Sequence, residues 1–82
     1  MIPKIKTIKE KEKYKLEVLF DDGLKVLYDV EDDINHIVDF SDLKNIYGLW
    51  YQYNLDESRT CIYWNDKIDL ASDTIYEYGE KM

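Results

Sequence analysis

The sequence predicts an α+β fold, with an antiparallel β-sheet of about four to five strands built on hairpins. One or two short helices are inserted between residues 31 and 48. Three observations predict it. Two period-two apolar runs flank an Asp-Gly turn. Apolar residues after Val30 switch to helical spacing behind a run of acids. Aromatic and β-branched runs separated by polar turns then return near residues 49 and 60.

Ile2, Ile5 and Ile8 sit among lysines in a first strand, with Pro3 near its start, where a missing N–H is tolerated. The charge alternation Glu10-Lys11-Glu12-Lys13 reads as a solvated turn, and the lysines as edge-strand residues that discourage sheet-to-sheet aggregation. The segment Tyr14 to Val30 is the hairpin around which the rest is arranged. A two-residue Asp22-Gly23 turn would put its two apolar sets on opposite faces of the ribbon. A three-residue loop, Asp21-Asp22-Gly23, pairs Phe20 with Leu24, Val18 with Val26, Leu16 with Tyr28 and Tyr14 with Val30. All eight then share one face, and a slip of one residue would destroy that arrangement. Gly23 supplies the left-handed residue that such a loop needs. On the opposite face Lys15 meets Asp29, a pair worth roughly 0.2–1 kcal/mol.

Val30, Ile34, Ile37 and Val38 predict a short helix led by acids. Phe40 to Gly48 predicts a second, with Ser41 as its N-cap, Leu43, Ile46 and Tyr47 facing inward and Gly48 left-handed beyond its end. Leu49 to Tyr53 reads as a strand, Asn54 to Arg59 as a polar loop, and Thr60 to Trp64 as its hairpin partner. Asn65-Asp66-Lys67 turns the chain into a short Ile68-Asp69-Leu70 segment. Ser72 is placed to cap a last helical turn that stops at Gly79.

Eighty-two residues make one small domain, 1–82, and 45% hydrophobic residues suffice for a core without metal or disulfides. The net charge is −7 and uneven. Residues 1–28 carry seven lysines against five acids, whereas residues 29–82 carry four basic and thirteen acidic side chains. That sign opposes binding to phosphate backbones, so nucleic acid is not an expected partner. One cysteine, no apolar leader and no membrane-length run together predict a cytoplasmic protein without a membrane contact.

Candidate chemistry is sparse. His36 and Cys61 are each alone, on elements of different kinds; a buried small hydrophobe is the usual role of such a cysteine. The acids between Asp29 and Asp42 lack calcium-loop spacing, and zinc ligands are missing, so no metal and no cofactor are expected. The three glycines are isolated at 23, 48 and 79, which excludes a glycine-rich phosphate loop. Aromatics remain: Trp50, Tyr51 and Tyr53 on one strand beside Tyr63 and Trp64 on the next. They either fill the core or form an interaction patch.

These residues together resemble the bacterial domain-of-unknown-function 2442 family. The resemblance is carried by Pro3, by Tyr14-x-Leu16-x-Val18-x-Phe20-x-Asp22-Gly23, by Asp29 and by Phe40-x-x-Leu43. Most of it lies in Ile62-x-Trp64-Asn65-x-x-Ile68-Asp69-Leu70 followed by Asp73 and Ile75-Tyr76. The chain departs from the family at Asn65-Asp66-Lys67, where a glycine is usual. The resemblance implies a small α+β fold and no established activity; some relatives look like antitoxin-type partners of another small protein. The positions of Trp64 and Asp69 are then either a functional surface or a buried anchor and a turn-forming carboxylate.

The functional expectation is a non-enzymatic module that binds another protein, with homo-oligomers as a further possibility. Its candidate surface is Trp50, Tyr51, Tyr53, Trp64, Asp66 and Asp69. The alternative is a ligand-binding or enzymatic domain with a pocket near Trp64, Asp66 and Asp69.

Overall fold

A computed structural model describes residues 2–82. Seven strands form two antiparallel sheets, with three short helices between and after them. The first sheet contains β1 (Ile5–Lys11), β2 (Lys15–Phe20), β3 (Lys25–Asp29) and β7 (Glu80–Lys81), in the order β1-β2-β3-β7. The second contains β4 (Asn54–Leu55), β5 (Cys61–Asn65) and β6 (Ile68–Ala71), in sequence order. The helices are α1 (Val30–His36), α2 (Asp42–Asn45) and α3 (Ser72–Tyr78). The α+β architecture is the one expected from the hairpin periodicity.

The register of β2 and β3 follows from burying one face. Leu16 pairs with Tyr28, Val18 with Val26 and Lys15 with Asp29. The loop between them closes through Phe20 N–H donating to Leu24 O and Gly23 N–H donating to Phe20 O, with Gly23 at φ +92°. In β1 the apolar spacing is three rather than two, and the backbone corrects for it. Ile5 pairs with Phe20 but Thr7 with Leu19, so Lys6 is an extra residue that brings Ile5 and Ile8 to one face. Ile2 and Pro3 precede the strand rather than forming part of it, and Ile2 is exposed.

Two segments differ from the sequence expectation. Leu49 to Tyr53 is not a strand: Leu49–Tyr51 is a single 3₁₀ turn, and pairing begins only at Asn54–Leu55, inside the segment expected to be a loop. Leu49 and Trp50 are adjacent and both buried, which alternation in a strand forbids and a tight turn allows. Ser41 does not cap α2, since it lies in a 3₁₀ turn, Val38–Ser41, and its Oγ donates to Val38 O at 2.7 Å. The carboxylate of Asp29 caps α1 instead, accepting Glu31 N–H at 3.0 Å.

Ser72 departs in a similar way. It is the first residue of α3, is fully buried, and its Oγ has no hydrogen-bond partner among the described residues. A capping serine lost to alanine costs ~1 kcal/mol. Removing an unpaired buried hydroxyl instead relieves desolvation. Ser72→Ala is therefore expected to leave stability unchanged or raise it by up to ~1 kcal/mol, as read by urea unfolding.

The two sheets and the helices enclose one core. Ile5, Leu16, Val18, Phe20 and Val26 come from the first sheet, and Ile62, Trp64, Ile68 and Leu70 from the second. Val30, Ile34, Phe40, Leu43, Trp50 and Ile75 close it. Arg59 ties the sheets together. Its guanidinium donates two bonds of 2.8 Å to the Asp21 carboxylate in the β2–β3 turn, and its carbonyl accepts Ile5 N–H at 2.8 Å. No helix among the described residues is long and apolar enough to cross a membrane.

Carboxylate bonding makes the fold acid-sensitive. Glu10 bonded to Tyr53, Asp21 to Arg59, Asp22 to Tyr76, and Asp56 to Ser58 all titrate below their ordinary values. A lowered carboxyl contributes stability above its ordinary value and loses it as pH falls through the lowered one. Asp33 has the opposite sign. Burial raises it, aided by Asp32 and Asp29, despite the bond donated by Tyr28. Its contribution is present at low pH and lost as pH rises through the raised value. Four groups against one predict that thermal stability falls below about pH 4. In Asp33→Asn the opposing contribution is gone, so the melting temperature should climb more steeply from acid to neutral pH than in the parent. A flat profile in both would contradict the assignment.

Candidate functional site

The aromatics proposed from sequence divide into an inner and an outer set. Trp50 and Trp64 are each only 5% exposed. Their rings stack at 5.8 Å with an 18° interplanar angle, and Trp64 Nε1–H donates to Trp50 O at 3.0 Å. The 3₁₀ turn at Leu49–Tyr51 leaves that carbonyl available. Tyr14 meets Trp50 edge-on at 5.2 Å, and Lys44 Nζ lies 5.3 Å from the Tyr14 ring centroid. Both tryptophans are therefore structural anchors with no face left for a partner, which corrects their place in the candidate surface. The alternation of β5 explains why: Ile62 and Trp64 point inward while Tyr63 and Asn65 point outward.

Tyr53 is half-buried and donates to Glu10; burial first, and then that bond, pushes its phenol up to about 12. Asp66 is exposed in the two-residue turn between β5 and β6, where the neighbouring Asn65 Oδ1 accepts Lys67 N–H and Ile68 N–H. Asp69 is exposed opposite Tyr63. The side-chain acceptor that forms this turn is the Asn65 amide oxygen, not the Asp69 carboxylate. The three best-formed clefts among the described residues are not lined by Trp64, Asp66 or Asp69. One of about 540 Å³ lies between Pro3, Asp22, Asp73, Tyr76, Glu77 and Lys81. A second, about 280 Å³, shares Pro3 and Asp22. The third, about 200 Å³, lies by Lys15, Asp29 and Tyr78.

The remaining chemistry is separated. His36 Nδ1 lies 2.7 Å from Asp32 O on α1. The Cys61 thiol contacts Ile62 O at 3.7 Å, and burial, with Asp69 and Asp56 nearby, pushes its ionisation up. A raised thiol is a poor nucleophile near neutral pH. No group of three or more His, Cys, Asp or Glu side chains converges among the described residues.

Tyr51 is the one predicted surface aromatic that is largely free, at 70% exposure, and it has company that the sequence reading placed inside. Ile37, Val38, Ile46 and Tyr47 are all exposed, Val38 at 86% and Tyr47 fully. Local geometry accounts for each. α1 ends at His36, and Ile37 is extended (φ −115°, ψ 117°), so the helical phase that would bury Ile37 and Val38 is lost. α2 ends at Asn45, Ile46 is again extended, and Gly48 turns left-handed at φ +80°. Ile46 and Tyr47 thus fall beyond the single turn that buries Leu43. Five of the nine exposed large hydrophobics among the described residues lie between Ile37 and Tyr51, on turns packed against one another. A sequence signal was present: apolar residues crowd every face of this short segment, more than one turn of helix can turn inward.

No curated protein and no solved structure matches the chain. The family model described as a protein of unknown function, DUF2442, matches residues 5–81, nearly the whole chain, in agreement with the motifs from Tyr14 to Tyr76. The chain belongs to the DUF2442 family.

Proposed function

We propose that the protein is a non-enzymatic binding module that docks on another protein through the segment from Ile37 to Tyr51, regulating it as an antitoxin-like component would. The observation that carries this reading is the concentration of exposed large apolar side chains on that one segment. Scattered surface hydrophobes need no explanation, but a group of Ile, Val and Tyr left out of a formed core is characteristic of an interaction surface. Tyr47 and Tyr51 bring large contact areas at low conformational cost, as interface anchors do.

The test is affinity capture from the native cell lysate, with nuclease, by the parent and by Tyr47→Ser/Tyr51→Ser. Both side chains are exposed, so the variant should melt with the parent, within about 0.5 kcal/mol. A protein recovered near one-to-one by the parent and depleted at least about tenfold by the variant supports the reading; anchors of this kind are worth about 2 kcal/mol or more. Equal recovery by both, or recovery of nothing except the chain itself, contradicts it.

A further inference from the structure

Resting on that reading, we infer that the partner presents a basic segment, with Lys and Arg flanking apolar anchors. The apolar face does not stand alone: between Asp29 and Tyr51 the chain carries six carboxylates and one lysine. That is five of the seven net negative charges, on 23 of 82 residues. The lysine is already engaged, because Lys44 Nζ lies 3.2 Å from Glu31 and beside the Tyr14 ring. Asp39, in the turn that exposes Val38, and Asp42, at the start of α2, have no ion-pair partner among the described residues. Apolar anchors on a segment that carries a net negative charge and two carboxylates without an ion-pair partner repel acidic and nucleic-acid surfaces and steer cationic ones. A chain that needed acid only for solubility would not require it concentrated on the segment that exposes Ile, Val and Tyr.

A basic amphipathic helix meets both demands at once, with anchors at helical spacing and cations along their borders. Fluorescence anisotropy with three synthetic amphipathic peptides tests this. They share the same Leu and Tyr face and carry Lys, Gln or Glu on the other. The Lys peptide should bind the parent at least about tenfold more tightly than the Gln peptide, weaken with added salt, and leave the Glu peptide unbound. Asp39→Asn/Asp42→Asn should weaken the Lys peptide severalfold, and Val38→Ser/Tyr47→Ser should weaken both the Lys and the Gln peptides. Three peptides binding alike, or none binding, would overturn the inference. So would a Lys peptide that binds Val38→Ser/Tyr47→Ser as well as the parent, since the attraction would then belong to the whole acidic chain. Those results leave the affinity-capture comparison to decide separately whether the face binds a protein at all.

Discussion

Replacing Gly79 by alanine is expected to be among the most damaging single changes in the chain. A Cβ at this position would lie 2.0 Å from Val26 Cγ1 and 2.7 Å from the Ile75 carbonyl oxygen. Val26 is fully buried and paired with Val18, and the Ile75 carbonyl accepts Gly79 N–H, so neither neighbour can move without breaking the helix end or the sheet. Gly79 is the point at which α3 hands the chain to β7, and the ladder from Glu80 and Lys81 to Leu27 and Val26 depends on that close approach. The expected cost is about 3 kcal/mol or more. At roughly 4–8 °C per kcal/mol, that lowers the melting temperature of so small a domain by more than about 12 °C. Gly23→Ala separates this effect from backbone conformation. Gly23 sits at φ +92° with open space around it, so only about 1 kcal/mol of left-handed strain is expected there. Comparable losses in the two variants would contradict the packing account.

The second large effect is at Trp64. Truncation to alanine removes the stacked partner of Trp50 from the core, with an expected cost of about 3–5 kcal/mol. Trp64→Phe keeps most of the apolar volume and loses the Nε1–H donated to Trp50 O. That leaves a buried carbonyl unpaired, for about 1–3 kcal/mol. Urea unfolding of the three proteins should rank parent, Phe, Ala. If Trp64→Ala unfolded like the parent and lost only partner binding, the assignment of Trp64 to the core would be wrong.

How much of this could be read beforehand depended on how many constraints acted on each residue. In the Tyr14–Val30 hairpin, eight apolar side chains had to share one face, and only one register allowed it. Aromatic and β-branched composition located β5 but gave it residues 49–53 as partner; its strand partners are β4 and the short Ile68–Leu70 segment, which extends to Ala71 as β6. Residues 49–53 misled because aromatic composition favours strands, while the deciding fact, that Leu49 and Trp50 are both buried, is tertiary. β7 left no trace, since two charged residues in a ladder have no pattern of their own. Helix α3 was expected to stop at Gly79 and does, but for close packing against Val26 rather than for a turn conformation. At the candidate site, Tyr51 was legible as one of several aromatics on an expected strand, some of which would face outward. Ile46 and Tyr47 were not, because their burial was inferred from a helical phase that α2 is too short to continue.

The central claim is that the binding face is the turn-rich segment between Ile37 and Tyr51, and not the aromatic strand or the acids of the β5–β6 hairpin. A photo-crosslinking amino acid placed at Tyr47, or in a second protein at Tyr63, tests it in intact cells. The account predicts one discrete adduct of higher mass from position 47 and none from position 63. An adduct formed from position 63 with none from position 47 would contradict it.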